Sequence, residues 1–296
     1  VKCFELRPYH NARKIRNMLI ANTYVPSPYI PMTIKDRGKE REILKTRYFP
    51  DRIVHHALMQ VVQPILESVF IKDTYQSIVG RGTHKALSRI QSWMGDENGT
   101  RYCLKIDIKK FYPSVDNGIL KDMFRRKIKC EKTLLILDGI VDSTKGLPIG
   151  NYTSQTLANY YLAYFDHFVK EELETKYYAR YADDIVIFGE TKEELHVKFK
   201  AMQTYLRNLK LEIKGNWQVF EVRTHGLDFL GYRLFGYYTL LRKAMVVKIK
   251  RAMKKPIGDL GGICRVMSYL GWIRFANSYN LLQTIITHQL KQSMRL

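Results

Sequence analysis

The chain has 296 residues, 46% of them hydrophobic and 26% charged, a globular composition that excludes a disordered polymer. Lysine and arginine number 49 against 28 aspartates and glutamates, and a surplus of +21 repels itself in a compact state unless it meets a polyanion. Twenty tyrosines and thirteen phenylalanines add faces on which bases can stack, so nucleic acid is the expected partner. Cys3, Cys103, Cys130 and Cys264 have no histidine or second cysteine at ligand spacing, which excludes a zinc ribbon and a disulfide framework. The longest uncharged run, Gly146 to Phe165, contains Pro148, Gly150, Asn151 and Gln155 and is too polar for a membrane helix. With no apolar signal region at Val1, a cytoplasmic protein without a membrane partner is expected.

In chain order, residues 11–22 predict a short basic helix, followed by an extended Pro-rich stretch from Tyr24 to Pro31. Thr33 to Leu44 predicts a charged hairpin turning near Arg37-Gly38. From Asp51, the residues Ile53, Val54, Ala57, Leu58, Val61, Val62 and Ile65 recur at helical spacing, with Pro64 expected to kink the end. Arg101 to Asp107 alternates like a strand and ends on a carboxylate. Gln155 to Lys176 predicts one helix with Leu157, Tyr161, Tyr164, Phe165, Phe168 and Val169 on a broad face. Tyr177 to Gly189 predicts a hairpin bent at Ala182-Asp183-Asp184. Thr191 to Glu194 is a capping box, and Leu195, Phe199, Met202, Leu206 and Leu209 then follow at helical spacing. Phe220 to Phe235 predicts strands interrupted by Gly226 and Gly231. Arg242 to Lys255 predicts a helix with seven cations in fourteen residues, and two shorter helices follow Gly262 and Ser278.

The bend at Asp183-Asp184 carries the chemistry. Its apolar flanks hold the turn against a core, so two adjacent carboxylates lie near a dry surface and need cations. An isolated Asp-Asp would be an ordinary solvated turn. Asp107, ending a second apolar strand, supplies a third carboxylate if the strands are neighbours. Three carboxylates and two Mg²⁺ ions suit in-line phosphoryl transfer, one metal activating the attacking oxygen and the other neutralising the leaving pyrophosphate.

With these residues in place the chain resembles a reverse transcriptase. Tyr181-Ala182-Asp183-Asp184 matches the family's Tyr-x-Asp-Asp signature, and Lys105 to Tyr112 resembles its first catalytic-carboxylate motif. Arg37 to Ile43 and Pro50 to Val54 resemble the fingers segments of the group II intron type. Phe229-Leu230-Gly231-Tyr232 resembles the primer grip. The resemblance implies an α+β right-hand polymerase: fingers over 1–100, a palm with an antiparallel sheet over 101–238 that includes a residual fingers segment at about 115–150, and a small helical thumb over 239–296. It implies that Asp107 and Asp183 hold both metals with the Ile108 carbonyl, and that Asp184 supports the site. It implies that Lys39 and Arg41 grip the triphosphate of a deoxynucleotide, with Tyr112 as the aromatic that excludes a 2′-hydroxyl. Lys248, Arg251 and Lys255 would lie along a template RNA–DNA duplex.

The loop from Leu147 narrows the resemblance. Intron-type enzymes carry Gln-Gly-x-x-x-Ser-Pro where this chain has Ile149, Gly150, Ser154 and Gln155. That pattern resembles the reverse transcriptases of diversity-generating retroelements of bacteria and phages, as do Asn216 to Val219 and Leu270-Gly271-Trp272. Those enzymes misincorporate opposite adenines of a template-repeat RNA, and many work with a small basic accessory protein. Ile149, Gly150, Ser154 and Gln155 would form the template pocket that sets fidelity, with Gln155 loosening the loop where relatives have proline. Relatives carry a proton-donating lysine after the Leu209–Ile213 segment. Trp217 occupies that column here and Lys214 lies nearby, so either place remains open. The stretch after Tyr232 is expected to hold a thumb and no nuclease or RNase H domain. Competing expectations are an antiphage defence reverse transcriptase, distinguished by its genomic neighbours, and a non-enzymatic RNA-binding scaffold, which the three aspartates argue against.

Overall fold

Alternating apolar residues set the strands of this chain, and wide apolar stripes set most of its helices. The computed structural model describes residues 6–36, 39–253 and 260–293. The strands are β1 Ile30–Asp36, β2 Lys39–Lys45, β3 Tyr102–Asp107, β4 Tyr178–Tyr181, β5 Asp184–Gly189, β6 Gln218–Glu221, β7 Leu227–Phe229, β8 Tyr232–Phe235 and β9 Tyr238–Leu241. The helices are α1 Pro8–Ile20, α2 Ile53–Glu67, α3 Thr83–Trp93, α4 Phe111–Ser114, α5 Asn117–Lys127, α6 Glu131–Asp142, α7 Tyr152–Tyr161, α8 Ala163–His167, α9 Lys192–Asn208, α10 Val222–His225, α11 Lys243–Met253, α12 Leu260–Ile273 and α13 Tyr279–Ser293. Three sheets result: β1-β2, β4-β5-β3-β6 and β7-β8-β9. Two compact units are formed, one from Val1–Gly82, Lys105–Val186 and Val197–Trp217, the other from Thr83–Leu104, Ile187–His196 and Gln218–Leu296.

In the first unit the predicted hairpin is present, with β1 and β2 antiparallel and Ile34 opposite Arg41. The α2 helix buries Val54, Met59, Val62 and Leu66 and runs on through Pro64 to Glu67; of the residues read at helical spacing only Val54 and Val62 are buried, while Ala57, Val61 and Ile65 are exposed, so the buried stripe is turned from the one expected. It packs on α7. Asp116 caps α5, its carboxylate accepting from the Ile119 N–H at 3.0 Å. The helix expected over Gln155–Lys176 is three pieces instead. It starts at Tyr152, breaks at Leu162 (φ −98°, ψ 0°) and widens into a π turn over Phe168–Glu172. Most of α7 is buried, including Asn159, so no polar face was there to give its period away. An early start also places Ser154 and Gln155 in the first helical turn, where Gln155 has regular backbone and does not loosen the preceding loop.

In the second unit α3 buries Ala86, Leu87, Ile90 and Trp93. The β7-β8-β9 meander pairs Phe229 with Tyr232 and Tyr232 with Leu241. The predicted strand region over Phe220–Phe235 is thus more finely divided, with α10 between β6 and β7 and β9 beyond it. On α11, Ile249 and Met253 face inward while Lys248 and Arg251 are exposed, and α12 and α13 both pack against this helix.

Candidate active site

A buried arginine holds the Asp-Asp turn. Arg180 ends the inward-facing row of β4, fully buried, and donates through Nε and Nη2 to both oxygens of Asp166 at 2.7 and 2.6 Å. Its Nη1 donates to Asn159 Oδ1 at 3.2 Å and to the Ala182 carbonyl at 3.1 Å. Tyr178 and Thr74 also donate to Asp166, so the buried carboxylate is bonded on both oxygens. A buried ion pair gains little net stability from attraction alone, and removing either partner strands a charge. Here it fixes geometry. Ala182, gripped by Arg180, adopts left-handed φ +57° and swings Asp183 out of line with the strand.

The structure brings Asp107 and Asp183 together. Asp107 ends β3, and the next residue, Ile108, donates its N–H to the Asp183 carbonyl at 3.3 Å. On the other side, Lys109 N–H donates to Glu212 and Lys214 N–H donates to Asp107, both at 2.8 Å. These bonds flank the Ile108–Ile213 bridge, so the N–H and C=O of Ile108 point away from residue 213 and toward the Asp183 side. Lys214 Nζ reaches Asp107 Oδ1 at 2.5 Å. Burial pushes the Asp183 carboxyl up to about 6, aided by the charges of Asp107 and Asp184. Asp184 opens β5, half-buried. Among the described residues no three His, Cys, Asp or Glu side chains converge as a metal cage. Asp107 and Asp183, with Lys214 beside them, nevertheless fit Mg²⁺, which commonly takes one or two carboxylates and completes its shell with water and substrate phosphate.

Asp183 and Lys214 line a cavity of about 810 Å³ that also takes in Arg41, Gln76, Lys110, Tyr112, Ile149, Gly150, Ser154 and Gln155, and Asp107 is joined to its wall through Lys214. Tyr112 lies on α4 with its ring edge-on to Phe111, and burial pushes its phenol up. Ile149 is tied to β2, its carbonyl accepting from the Leu44 N–H at 3.1 Å. Gly150, at φ +102°, lies so close to Ile43 that an added Cβ would sit 2.4 Å from Cγ2. Ser154 Oγ is buried with no hydrogen-bond partner. Trp217 is stacked on Phe199 of α9, ring centres 4.1 Å apart, so Lys214 and not Trp217 is the member of that segment that lines the cavity. Lys39 opens β2, but its side chain lies outside the described residues, as does the whole of Lys255.

The second unit holds the other expected residues. Phe229 and Tyr232 are buried across a tight turn in which Leu230 and Gly231 take φ +50° and +89°. Trp272 packs beneath this turn, 2.9 Å from where a Gly231 Cβ would lie, and stacks on Tyr232 with centres 5.4 Å apart.

Three structural features around the cavity escaped the sequence reading. Arg180 and Asp166 each stand as a lone charge in an apolar run, and that shared oddity was the available signal. Gln76 had none. The third is the row of half-buried Tyr24 with buried Asp51, His55 and Asn151, in which His55 Nδ1 lies 2.9 Å from Asn151 Oδ1.

The architecture is that of a reverse transcriptase-type polymerase. Telomerase from Candida tropicalis in complex with a TWJ fragment of telomeric RNA superposes with a TM-score of 0.58 at 14% identity, over 95% of this chain and 58% of that one. Apo telomerase from the same organism, truncated from its C-terminal domain, gives 0.57 at 14% identity, over 76% and 59%. The family described as reverse transcriptase (RNA-dependent DNA polymerase) matches residues 34–234, and the chain belongs to it. Protein YkfC of Escherichia coli K12 is 26% identical over 270 residues, 74% of this chain and 70% of that protein. The group II intron-encoded protein LtrA of Lactococcus lactis is 28% identical over 215 residues, 69% of this chain but 35% of LtrA.

Proposed function

We propose that this chain is an RNA-directed DNA polymerase whose product is error-prone cDNA, the enzyme of a diversity-generating retroelement of a bacterium or phage. The observation that carries the polymerase reading is the meeting of Asp183 and Lys214 in one cavity with Tyr112 and Arg41, with Lys214 bonded to the neighbouring Asp107. In this reading residues 1–100 act as fingers, 101–238 as palm and 239–296 as thumb. Asp107 and Asp183 would hold Mg²⁺ with the Ile108 carbonyl, and Asp184 adds negative charge beside them. Bound there, Mg²⁺ supplies charge neutralisation and a more acidic primer 3′-hydroxyl. Arg41, with Lys39, meets the triphosphate of the incoming deoxynucleotide. The Tyr112 ring lies under the sugar and leaves no space for a 2′-hydroxyl. Lys214 donates a proton to the departing pyrophosphate, a task for which an ammonium beside the carboxylates is suited. Phe229 to Tyr232 would support the primer end, while Lys248, Arg251 and Lys255 would meet backbone phosphates of the RNA–DNA duplex without reading sequence.

The retroelement reading rests on Ile149 and Gln155, where intron-type relatives carry Gln and Pro. An apolar branched side chain offers the templating nucleotide no hydrogen bond. A small basic accessory protein belongs to this reading as a partner. The test is extension of a DNA primer on an RNA template with Mg²⁺ and deoxynucleotides, followed by sequencing of the product. Expected are templated cDNA and substitutions concentrated opposite adenine. Extension with evenly spread, rare errors would leave a polymerase and remove the retroelement; no extension would remove both.

A further inference from the structure

Two adjacent residues of α2 meet two adjacent residues at the start of α7. In the interior, His55 Nδ1 donates to Asn151 Oδ1 at 2.9 Å, and Asn151 Nδ2 donates to the Tyr29 hydroxyl at 3.1 Å. Asn151 occupies the N-cap position of α7, yet its side chain makes no capping bond. An asparagine there ordinarily caps the helix, so both ends of this amide are committed to the cross-tie instead. Nearer the solvent, the next residue of each segment repeats the meeting with aromatic rings. His56 and Tyr152 stack with centres 3.9 Å apart and planes 18° from parallel. The buried bond fixes the register of the two segments, so the rings are paired before any ligand arrives.

This ring pair is not part of the core. His56 is exposed, Tyr152 keeps 46% of its surface open, and both line the cavity that Asp183 also lines. Each ring gives one face to the other, which makes a stack that a third ring can extend. Arg52, one turn before His56, lines the same cavity. A flat aromatic surface beside a guanidinium suits an unpaired nucleotide, whose base stacks while its phosphate meets the cation. Stacking asks only for a flat face, so any base is accepted. The place in the chain selects which nucleotide. Tyr152 follows by three positions Ile149, the residue proposed to face the templating nucleotide. The next template base has not yet entered the duplex and has no paired neighbour to lie on. We propose that His56 and Tyr152 form a stacking platform for the template base immediately 5′ of the one being copied, with Arg52 meeting its phosphate. The platform rests on the polymerase reading above.

Template–primer affinity is measured by filter-binding titration without Mg²⁺ or nucleotide, on an RNA template with either a normal or an abasic nucleotide at that position. The proteins are wild type, His56→Ala, Tyr152→Ala and Tyr152→Phe. In wild type, loss of the base is expected to weaken binding about tenfold, within the range for one base on an aromatic ring. Tyr152→Phe keeps the flat ring and should keep that difference. His56→Ala and Tyr152→Ala should bind the intact template more weakly and be nearly indifferent to the missing base, because variant and abasic site remove the same contact. An equal loss in all four proteins would overturn the platform. So would a raised nucleotide KM in Tyr152→Ala with the abasic difference intact, which would give the rings to the base of the incoming nucleotide. Should Tyr152→Ala not fold, His56→Ala decides, since its ring is exposed. A wild-type protein that extends no primer once Mg²⁺ and deoxynucleotides are added overturns the polymerase reading, whereas normal extension with an unmoved abasic difference overturns the platform alone.

Discussion

Lys214 is bonded to Asp107 twice, through its backbone N–H to the carbonyl at 2.8 Å and through Nζ to Oδ1 at 2.5 Å. The first bond belongs to the pairing of residues 212–214 with 107–109, so the sheet itself delivers the ammonium to the carboxylate. Nearby Trp217 is occupied with Phe199.

Lys214→Ala is expected to slow nucleotide addition roughly a hundredfold, the low end of what general acid catalysis contributes, with template binding retained. Lys214→Arg restores charge but cannot release a proton, so it should recover KM and leave kcat low. Trp217→Ala should instead lower the unfolding temperature, with about 1 kcal/mol lost from the aromatic pair, and leave kcat near wild type. Steady-state kinetics and thermal melts on the three variants separate these outcomes. Wild-type kcat in Lys214→Ala would remove the proton-donor role.

Asp183 lies half-buried beside Asp107, and the two negative charges oppose each other, offset in part by Lys214. Asp183→Asn removes that repulsion at nearly constant volume. Primer extension should fall by several orders of magnitude, since one of the two carboxylates proposed to hold Mg²⁺ is gone. The metal-free protein should melt a few degrees higher than wild type, about the effect of 1 kcal/mol in a chain this size. Mg²⁺ should raise the melting temperature of wild type and not of Asp183→Asn, by mass action on the folded state. Equal Mg²⁺-dependent shifts in both proteins would place the metal elsewhere.

His55 gives the fold an acid-sensitive point. It is buried on α2, and burial holds its imidazole below the ordinary 6.5, against the opposing pull of Asn151 and Asp51. The folded state thus favours neutral His55, and its contribution is fully present above the unfolded-state value. As pH falls through 6.5 and toward the lower folded value, the unfolded chain binds the proton more readily and stability is lost. His55→Gln keeps a hydrogen-bonding group for Asn151 and cannot titrate. Denaturant midpoints between pH 8 and pH 5 should fall more for wild type than for His55→Gln. Parallel slopes would assign the acid sensitivity to other groups.

Much of this was legible, and the reasons are local. Leu195, Phe199, Met202 and Leu206 are all buried along one stripe of α9, as their spacing requires. The Asp-Asp bend could be placed because both its arms are apolar and its turn is not. Legibility failed where burial is all-round or pairing is distant. Leu157, Ala158, Asn159, Tyr160 and Tyr161 are all buried on α7, so period carries no information there, and the break at Leu162 has no breaker residue to announce it. The Arg180–Asp166 pair joins residues on different elements, which no window on the sequence connects. For α5 the signal did exist: Leu120, Met123 and Phe124 follow the Asp116 cap at helical spacing and are buried.

Neutralising the exposed cations of α11 tests the proposed thumb. Lys248 and Arg251 lie on the solvent side of a helix whose Ile249 and Met253 face inward, so their removal should spare the fold. Lys248→Gln with Arg251→Gln should weaken RNA–DNA duplex binding for all sequences alike. The slope of log affinity against log salt should become shallower by about 1 to 2, one counterion for each lost phosphate contact. Filter-binding titrations at several salt concentrations give the slope directly, and an unaltered slope would put the duplex on another surface.

On the proposed retroelement reading, fidelity would turn on the side chain of Ile149 and not on the mobility of its loop. The Ile149 carbonyl is held by the Leu44 N–H, and Gly150 is pressed against Ile43, so the backbone here is anchored to β2. Gln155 lies within the first turn of α7 and adds no slack. What differs from intron-type relatives at this point is therefore the chemistry offered to the cavity. Glutamine carries a donor and an acceptor that can hold a templating nucleotide in register, whereas isoleucine carries only a stiff branched surface. Losing one such contact, about 1 kcal/mol, changes discrimination several-fold without touching the chemical step. Ile149→Gln is accordingly expected to lower misincorporation opposite template adenine several-fold, and more than opposite the other bases, at a similar extension rate. Sequencing cDNA made by both enzymes on one RNA template reads the two spectra side by side. Identical spectra would show that Ile149 does not set the error rate, and the retroelement reading would lose the residue on which it most depends.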